Sequence, residues 1–278
     1  MTELAGWREL ASGVFVYAAA PGGVNAGLIV GAEEALLVDT GSTPAQGRRI
    51  RESVARLTEV PLSTVVVTHW HPQHAFGLAA FADLHTIGHE SVADPLRSPA
   101  AAAAAAGSGL APEELTLPAR LLVVAAAIDL GDRRVEVAHL GRGHTDGDLV
   151  VVVPDADLLF VGDLLSSAGP PSFGEDCSPD DWGVTLDGVI GLMTATTQAV
   201  PGHGGAVDRL FAFGQRGEVA GVAGEIRRLF TTGVPEAEAL RSGSWPYPAA
   251  VVELAVARGF RALAAAGVTP ARPTLPLA

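Results

Sequence analysis

Three histidines fall within six residues in Thr68-His69-Trp70-His71-Pro72-Gln73-His74, directly after the β-branched run Val65-Val66-Val67. Spacings of i, i+2 and i+5 do not share one helix face, where neighbours recur every three or four residues. On an extended segment His69 and His71 point to the same side at period two, and a turn can bring His74 back beside them. Neutral imidazole is the commonest side-chain metal ligand. Three of them at the mouth of a strand therefore suggest a metal site.

The elements that must position this cluster can be read around it. Residues 14–17 form a first strand, and residues 24–30 and 35–38 a hairpin pair that ends at Asp39-Thr40-Gly41. Thr43 and Pro44 start a helix with a capping hydroxyl and a first-turn proline; Ile50, Val54 and Leu57 follow at helical spacing. The buried strand at 65–67 then delivers the histidines, and residues 74–81 suit a short helix leaving the site. Residues 86–87 read as a strand. The alanine run 100–106 has high helix propensity but little bulk to anchor it, so it reads as a surface helix or a mobile insertion.

The second half repeats the strand theme at 121–126, 134–139, 149–153 and 158–161, with turn residues between. Two loops there carry polar groups, Gly141-Arg142-Gly143-His144-Thr145-Asp146-Gly147-Asp148 and Gly162-Asp163. Each adjoins an apolar strand, so each sits at a sheet edge. A helix over 179–195 and a strand at 198–200 lead into Pro201-Gly202-His203-Gly204. Helices over 207–230 and 249–266 follow, the first with Val219, Val222, Ile226 and Leu229 on one stripe. Gly214, Gly217, Gly221 and Gly224 form a second stripe, suited either to close packing or to a solvated face. The tail 270–278 is proline-rich and irregular.

At 278 residues and 48% hydrophobic content the chain can bury a substantial core, as one large domain or two small ones. Its 18 basic and 31 acidic residues give a net charge of −13. That argues against nucleic acid or an anionic membrane as a partner. The single cysteine, Cys177, allows no internal disulfide and fits a reducing compartment; its acidic neighbours Glu175 and Asp176 disfavour a thiolate. The first nine residues lack the basic start and apolar core of a signal peptide. The longest apolar run, 121–128, falls short of the roughly 20 residues that span a bilayer. The expectation is a soluble cytoplasmic protein.

Read together, His69-x-His71-x-Gln73-His74, Gly143-His144-Thr145, Gly162-Asp163 and Gly202-His203 resemble the metallo-β-lactamase fold superfamily. The resemblance covers residues 14–205 and rests on the ordered set rather than on any one piece. It implies an α/β fold, a four-layer αββα sandwich of two mixed sheets with the metal site at one edge. Residues 1–215 would form this domain and residues 216–278 a C-terminal helical extension packed on it. Carried over, His69, His71 and His144 would hold a first metal. Asp163 would bridge to a second, helped by His74 and His203, and Asp39 would support the site from behind. Asp163 and His203 would be the catalytic side chains. Three imidazoles leave one position of a tetrahedral zinc open, and water there is acidified to a pKa of about 7. The implied activity is metal-dependent hydrolysis of a small-molecule ester, thioester or lactone by metal-bound hydroxide. One or two zinc ions are implied, with iron or manganese as alternatives.

Gln73 departs from the pattern, which has aspartate at this position. An amide is neutral, binds zinc poorly and cannot titrate, so the second metal should suffer most. A one-metal hydrolase, a two-metal hydrolase relying on Asp163, His74 and His203, and a non-catalytic ligand-binding member all remain open, as does a mononuclear iron enzyme like the sulfur dioxygenases. The other six positions are intact, and a buried Asp163 without a cation would be costly; both favour catalysis. His85, His89 and His139 read as ordinary strand-end or surface residues, His89 being the one to check for a substrate contact. Trp70, Phe76, Phe173 and Trp182 are candidate pocket walls. Asp146 and Asp148 are candidate proton-handling groups, read first as solvated loop carboxylates. Nothing in the sequence sets the oligomeric state.

Overall fold

The computed structural model describes residues 3–4, 6–19 and 23–270. The chain opens with an antiparallel ladder of β1 (Glu3–Leu4), β2 (Trp7–Ala11), β3 (Val14–Ala19), β4 (Val24–Val30) and β5 (Ala35–Val38). Helix α1 (Pro44–Leu57) then crosses over, and β6 (Leu62–Val66) returns parallel to β5. After the short helix α2 (Pro72–Ala75), β7 (His85–His89) adds in parallel. Helices α3 (Ala93–Leu96) and α4 (Pro99–Gly107) precede β8 (Arg120–Leu122), also parallel.

A second ladder is antiparallel through β9 (Ala125–Asp129), β10 (Arg134–His139), β11 (Leu149–Val153) and β12 (Leu158–Ser166). Helix α5 (Pro179–Gly191) crosses over to β13 (Gln198–His203), which lies parallel to β12. Three helices complete the chain, α6 (Arg209–Thr231), α7 (Glu236–Ser242) and α8 (Ala249–Ala265). The two ladders meet at one residue pair, His203 opposite Val24.

Alternation along the strands sorts the apolar residues into three cores. On β4, Ala26 and Leu28 face α1 together with Ile50 and Val54, while Ile29 faces the second ladder together with Val137, Val151 and Phe160. The third core joins Leu159 and Leu164 of β12 to Trp182 of α5, Val222 of α6 and Val252 of α8. Fully burying a Leu or Val side chain contributes roughly 1.5–3 kcal/mol, so the C-terminal helices are integral to this side of the fold. The boundary expected between residues 215 and 216 falls inside α6, which runs unbroken through it.

The class is mixed α/β, as expected, and several elements differ in detail. Residues 121–126 are not one strand: the run divides into β8 and β9, which pair with β7 and β10 at opposite ends of the strand order. No turn residue marks the break, because tertiary pairing makes it. β12 and β13 run on past 161 and 200 through the Gly-Asp and Gly-His steps, with a register shift at Gly162. The helix expected over 74–81 is α2 and a separate 3-10 turn, Leu78–Phe81, and α5 stops at Gly191 rather than 195. Strand β2 and helix α7 carry no strong sequence signal.

The alanine run does form a helix, α4. Ser98 caps it by accepting from the Ala101 amide at 3.2 Å, and Ala101 and Ala105 are fully buried. Small side chains here allow close approach to the core. Around Gly214, Gly217 and Gly224 there is open space, so that stripe is a solvated face. The proline-rich tail lies outside the described residues beyond residue 270.

One side chain fastens the ladders together. Asn25, 9% exposed, donates from Nδ2 to the Pro201 carbonyl at 2.9 Å and to the Gly204 carbonyl at 2.7 Å, on either side of His203. Asn25→Ala is therefore expected to lower stability by about 1–3 kcal/mol through carbonyls left without partners. Urea unfolding checks this; an unchanged midpoint would contradict it.

Candidate metal centre

Every strand end that faces the junction of the ladders delivers one polar group. His69 follows β6, His71 caps α2, and His74 lies within α2. His144 comes from the turn between β10 and β11, Asp163 from β12 just after Gly162, and His203 ends β13. The structure thus brings together all six residues expected from the sequence, with Asp39 at the end of β5 behind them.

Each of the four buried or half-buried imidazoles is held from its outer side. His69 Nδ1 donates to Thr68 Oγ1 at 3.0 Å, since that hydroxyl itself donates to Asp39. His71 Nε2 donates to Asp176 Oδ2 at 3.1 Å, His144 Nδ1 to the Ser172 carbonyl at 2.9 Å, and His74 Nδ1 to Asp39 Oδ2 at 2.7 Å. These partners assign the tautomers and leave the other nitrogen of every ring facing inward. His144 Nε2 and His71 Nδ1 are 2.8 Å apart. Asp163 lies between them: Oδ2 is 3.9 Å from His69 Nε2, 3.6 Å from His144 Nε2 and 3.6 Å from His203 Nε2, and Oδ1 is 3.4 Å from His74 Nε2.

Two donor sets emerge, His69 with His71 and His144, and His69 with His74 and Asp163; within each, the donor atoms lie within 4.8 Å of one another. His69 Nε2, His74 Nε2 and Asp163 Oδ1 are buried without a hydrogen-bond partner among the described residues. Leaving a buried polar atom unsatisfied costs about 1–3 kcal/mol. Three such atoms aimed at one point fit a divalent cation, and the nitrogen-rich first set has the composition of a zinc site.

The electrostatics separate the two sets. Burial pushes His69 well below the ordinary histidine range and His144 down to about 4, so both rings are neutral at pH 7 with lone pairs free. Burial also opposes charge on His74, but Asp39 and Asp163 on either side outweigh it and raise the ring to about 10. Asp163 is the reverse case: burial favours its neutral form, and the charged His74 holds it ionised, well below the usual carboxylate range.

Glycine is required where the backbone passes closest. A Cβ on Gly202 would overlap Asp163 Oδ1 and come within 2.9 Å of His74 Cε1. Gly162, at a φ of 52°, sits with its Cβ direction 2.9 Å from Thr68 Oγ1. These are the glycines of the Gly-Asp and Gly-His steps.

Residues 167–178 supply what sequence reasoning missed. This segment gives the Ser172 carbonyl to His144 and the Asp176 carboxylate to both His71 and the Trp70 indole, the latter at 2.6 Å. Asp176 had stood out only as an acidic neighbour of Cys177. That cysteine is buried, and burial pushes its thiol up to about 12, in keeping with an inert residue. Trp182 packs 5.7 Å from His144 and Phe173 packs 5.0 Å from Trp182; both are core walls behind the site.

Gln73 is exposed on the rim of a hollow of about 280 Å³ that also exposes His71, His144, Asp163 and His203, and it hydrogen bonds to no described residue. His89 does not line this hollow; it stacks on His139 at 4.0 Å and bonds Ser91 and the Val123 carbonyl. Asp148 is buried rather than solvated. It holds the Thr145 amide and hydroxyl at 2.9 and 2.8 Å, and burial raises it to about 8, so it shapes the His144 turn.

Residues 19–207 match the sequence model of the metallo-beta-lactamase superfamily. Metallo-beta-lactamase type 2 of Bacteroides fragilis is 25% identical over 207 residues, 73% of either chain. The protein of the same description from Bacillus cereus is 25% identical over 206 residues, 73% of this chain and 75% of its own. The solved metallo-beta-lactamase from Pontibacter korlensis superposes with a TM-score of 0.63 at 20% identity, covering 77% of this chain and 98% of that one. At that identity the superposition speaks for the fold.

Two measurements test this geometry. Asp176→Asn should weaken metal affinity by about 10–100-fold, the range for losing a carboxylate behind a ligating histidine, in a competition titration with a chromophoric chelator; unchanged affinity would remove Asp176 from the site. Between pH 6.5 and about 10 His74 is charged in the metal-free protein, so a cation engaging its Nε2 must displace a proton, whereas neutral His69 and His144 release none. Calorimetric metal titration in buffers of different ionisation heat should show that release at pH 8, and His74→Gln should reduce it, leaving the proton lost by metal-bound water; an unchanged release would contradict the assignment.

Proposed function

Because this chain belongs to the metallo-beta-lactamase superfamily, we propose that it is a zinc-dependent hydrolase of a small-molecule ester, thioester or lactone, its ion held by His69, His71 and His144. One observation carries the reading. Each of these three rings has its outer nitrogen hydrogen bonded, to Thr68, Asp176 and the Ser172 carbonyl, and its inner nitrogen turned to a common point. A divalent ion there supplies Lewis acidity, polarising a carbonyl and lowering the pKa of a water molecule.

The protein's own groups divide the remaining work. Asp163, held ionised by His74, would accept a hydrogen bond from the attacking water and orient it. Its depressed pKa makes it a poor place to keep the proton. His203 is better placed to pass it on: its Nε2 is 3.6 Å from Asp163 Oδ2 and its side chain is 28% exposed, reaching both the hollow and solvent. Trp182 and Phe173 close the back of the site against water.

The second metal site of this proposal is the weaker one. It has His74, Asp163 and His203, with Asp39 behind His74, and a neutral amide at Gln73 where a carboxylate would lower the cost of gathering two dications. With that negative charge missing from the rim, the site offers less to a second dication, so the proposal includes one firmly held zinc and a second site of reduced affinity.

The reading further includes a cytoplasmic location and a small molecule, rather than nucleic acid or a membrane, as the partner. The single buried Cys177 and the net charge of −13 support this. No helix among the described residues is long and apolar enough to cross a membrane. The C-terminal helices α6, α7 and α8 belong to it as the part that shapes the substrate end of the site.

Metal counting on wild type and Gln73→Asp, with both assayed on a panel of esters, thioesters, lactones and a β-lactam, is the test. Wild type is expected to retain about one zinc per chain, Gln73→Asp about two, and zinc-dependent turnover should appear for an ester, thioester or lactone. Protein without stoichiometric metal would sink the hydrolase. Iron in place of zinc, with oxidation of a persulfide, would transfer the case to the dioxygenase class. Metal without turnover would leave a binding protein.

A further inference from the structure

A second hollow adjoins the metal site without belonging to it. It has a volume of about 420 Å³ and shares Ser166, Gly169 and Pro170 with the hollow that exposes the histidines. Its far wall is built by the C-terminal helices: Phe211 and Glu218 of α6, and Tyr247 from the segment before α8. Gln215 ties this wall to the site, accepting from the Ser166 amide at 3.1 Å and donating to the Leu164 carbonyl at 3.3 Å. Tyr247 packs 6.1 Å from Phe173, which packs on Trp182 and so on His144. The two hollows thus share one wall.

Glu218 is the chemically distinctive group. Tyr247, 9% exposed, donates its hydroxyl to Glu218 Oε2 at 2.7 Å and fixes the carboxylate. The other oxygen has no partner among the described residues. The sequence contains no lysine, and the arginines of α6 are engaged elsewhere: Arg216 with Asp187, Arg227 with Asp180, Arg228 with Glu225, and Arg209 over the Phe213 ring. A carboxylate oriented by a tyrosine, in a hollow that Phe211 also lines and with no cationic partner among the described residues, is complementary to an ammonium group carried on an apolar body.

We infer that this second hollow is a subsite for the cationic end of the substrate: Glu218, Tyr247 and Phe211 receive a protonated amine attached to an apolar or aromatic body whose ester, thioester or lactone carbonyl lies at the histidines. The substrate class narrows from any small ester to an amine-bearing one. That consequence rests on the hydrolase reading, but the recognition itself needs neither metal nor turnover.

The test is equilibrium binding of two matched probes, 2-phenylethylammonium and 2-phenylethanol, to metal-free and zinc-loaded full-length protein at pH 7, followed by calorimetry or NMR. The amine is expected to bind about tenfold tighter than the alcohol in both forms. Glu218→Gln, a substitution on an exposed helix position, should reduce that ratio to about one; Tyr247→Phe, which frees the carboxylate, should reduce it partway. Equal binding of the two probes by wild type would overturn the subsite, as would a preference that survives Glu218→Gln, which would assign the cation to Asp163 instead. Amine selectivity without hydrolysis would keep the subsite and remove the hydrolase; hydrolysis without selectivity would do the reverse.

Discussion

Four imidazoles and a carboxylate sit within a few ångströms of one another in a largely dry pocket, and the fold has to hold them there against their own chemistry. The solution is to fix each ring by its outer nitrogen. Asp39 is the central element of that scaffold. It accepts from the Thr68 amide at 2.7 Å, from the Thr68 hydroxyl and from His74 Nδ1. To do so it adopts a φ of 63°, a region that non-glycine residues rarely occupy. Strain of this kind costs of order 1–3 kcal/mol and persists only where the surroundings determine it. Here three hydrogen bonds to one carboxylate offset it, and through Thr68 and His74 they orient two rings of the site.

The rest of the architecture follows from the need to bring distant strand ends to that point. β5 and β6 supply Asp39 and His69 from one ladder, β12 and β13 supply Asp163 and His203 from the other, and among the described residues the ladders pair strand to strand at His203 and Val24. Asn25 holds that contact from the backbone on both sides of His203. The approach is so close that Gly202 admits no Cβ beside Asp163. On the opposite flank, residues 167–178 fold over the site and anchor His71 and His144, while Trp182 and Gln215 both bond the Leu164 carbonyl next to Asp163. The C-terminal helices therefore support the site as well as covering it.

What was legible in the sequence is what local pattern encodes. The triplet after Val67 announced its chemistry because the period of a strand puts His69 and His71 on one side, and the ordered set with His144, Asp163 and His203 named the fold. What escaped was tertiary. Asp176 lies more than a hundred residues from His71 in the chain, and nothing in Glu175-Asp176-Cys177 distinguishes it from a solvated loop acid. Residues 121–126 conceal a crossing between ladders because their apolar run has no turn residue to mark it. The alanine run had too little bulk to seem anchored, yet Ala101 and Ala105 are buried because they are small. Asp148 read as solvated, and only the folded turn shows it enclosed.

Gln73 stands apart from this frame. It sits on the rim, exposed and without a hydrogen bond to any described residue, so its effect is confined to the charge offered to cations. The central claim is that His69, His71 and His144 form a site that works without help at this position. Zinc-edge X-ray absorption on protein loaded with one equivalent of zinc tests it most directly. The account predicts three imidazole nitrogens at about 2.0–2.1 Å with an oxygen donor completing a tetrahedron, in wild type and unchanged in Gln73→Asp. A spectrum with one or no imidazole shell, or one that acquires its imidazoles only in Gln73→Asp, would contradict it.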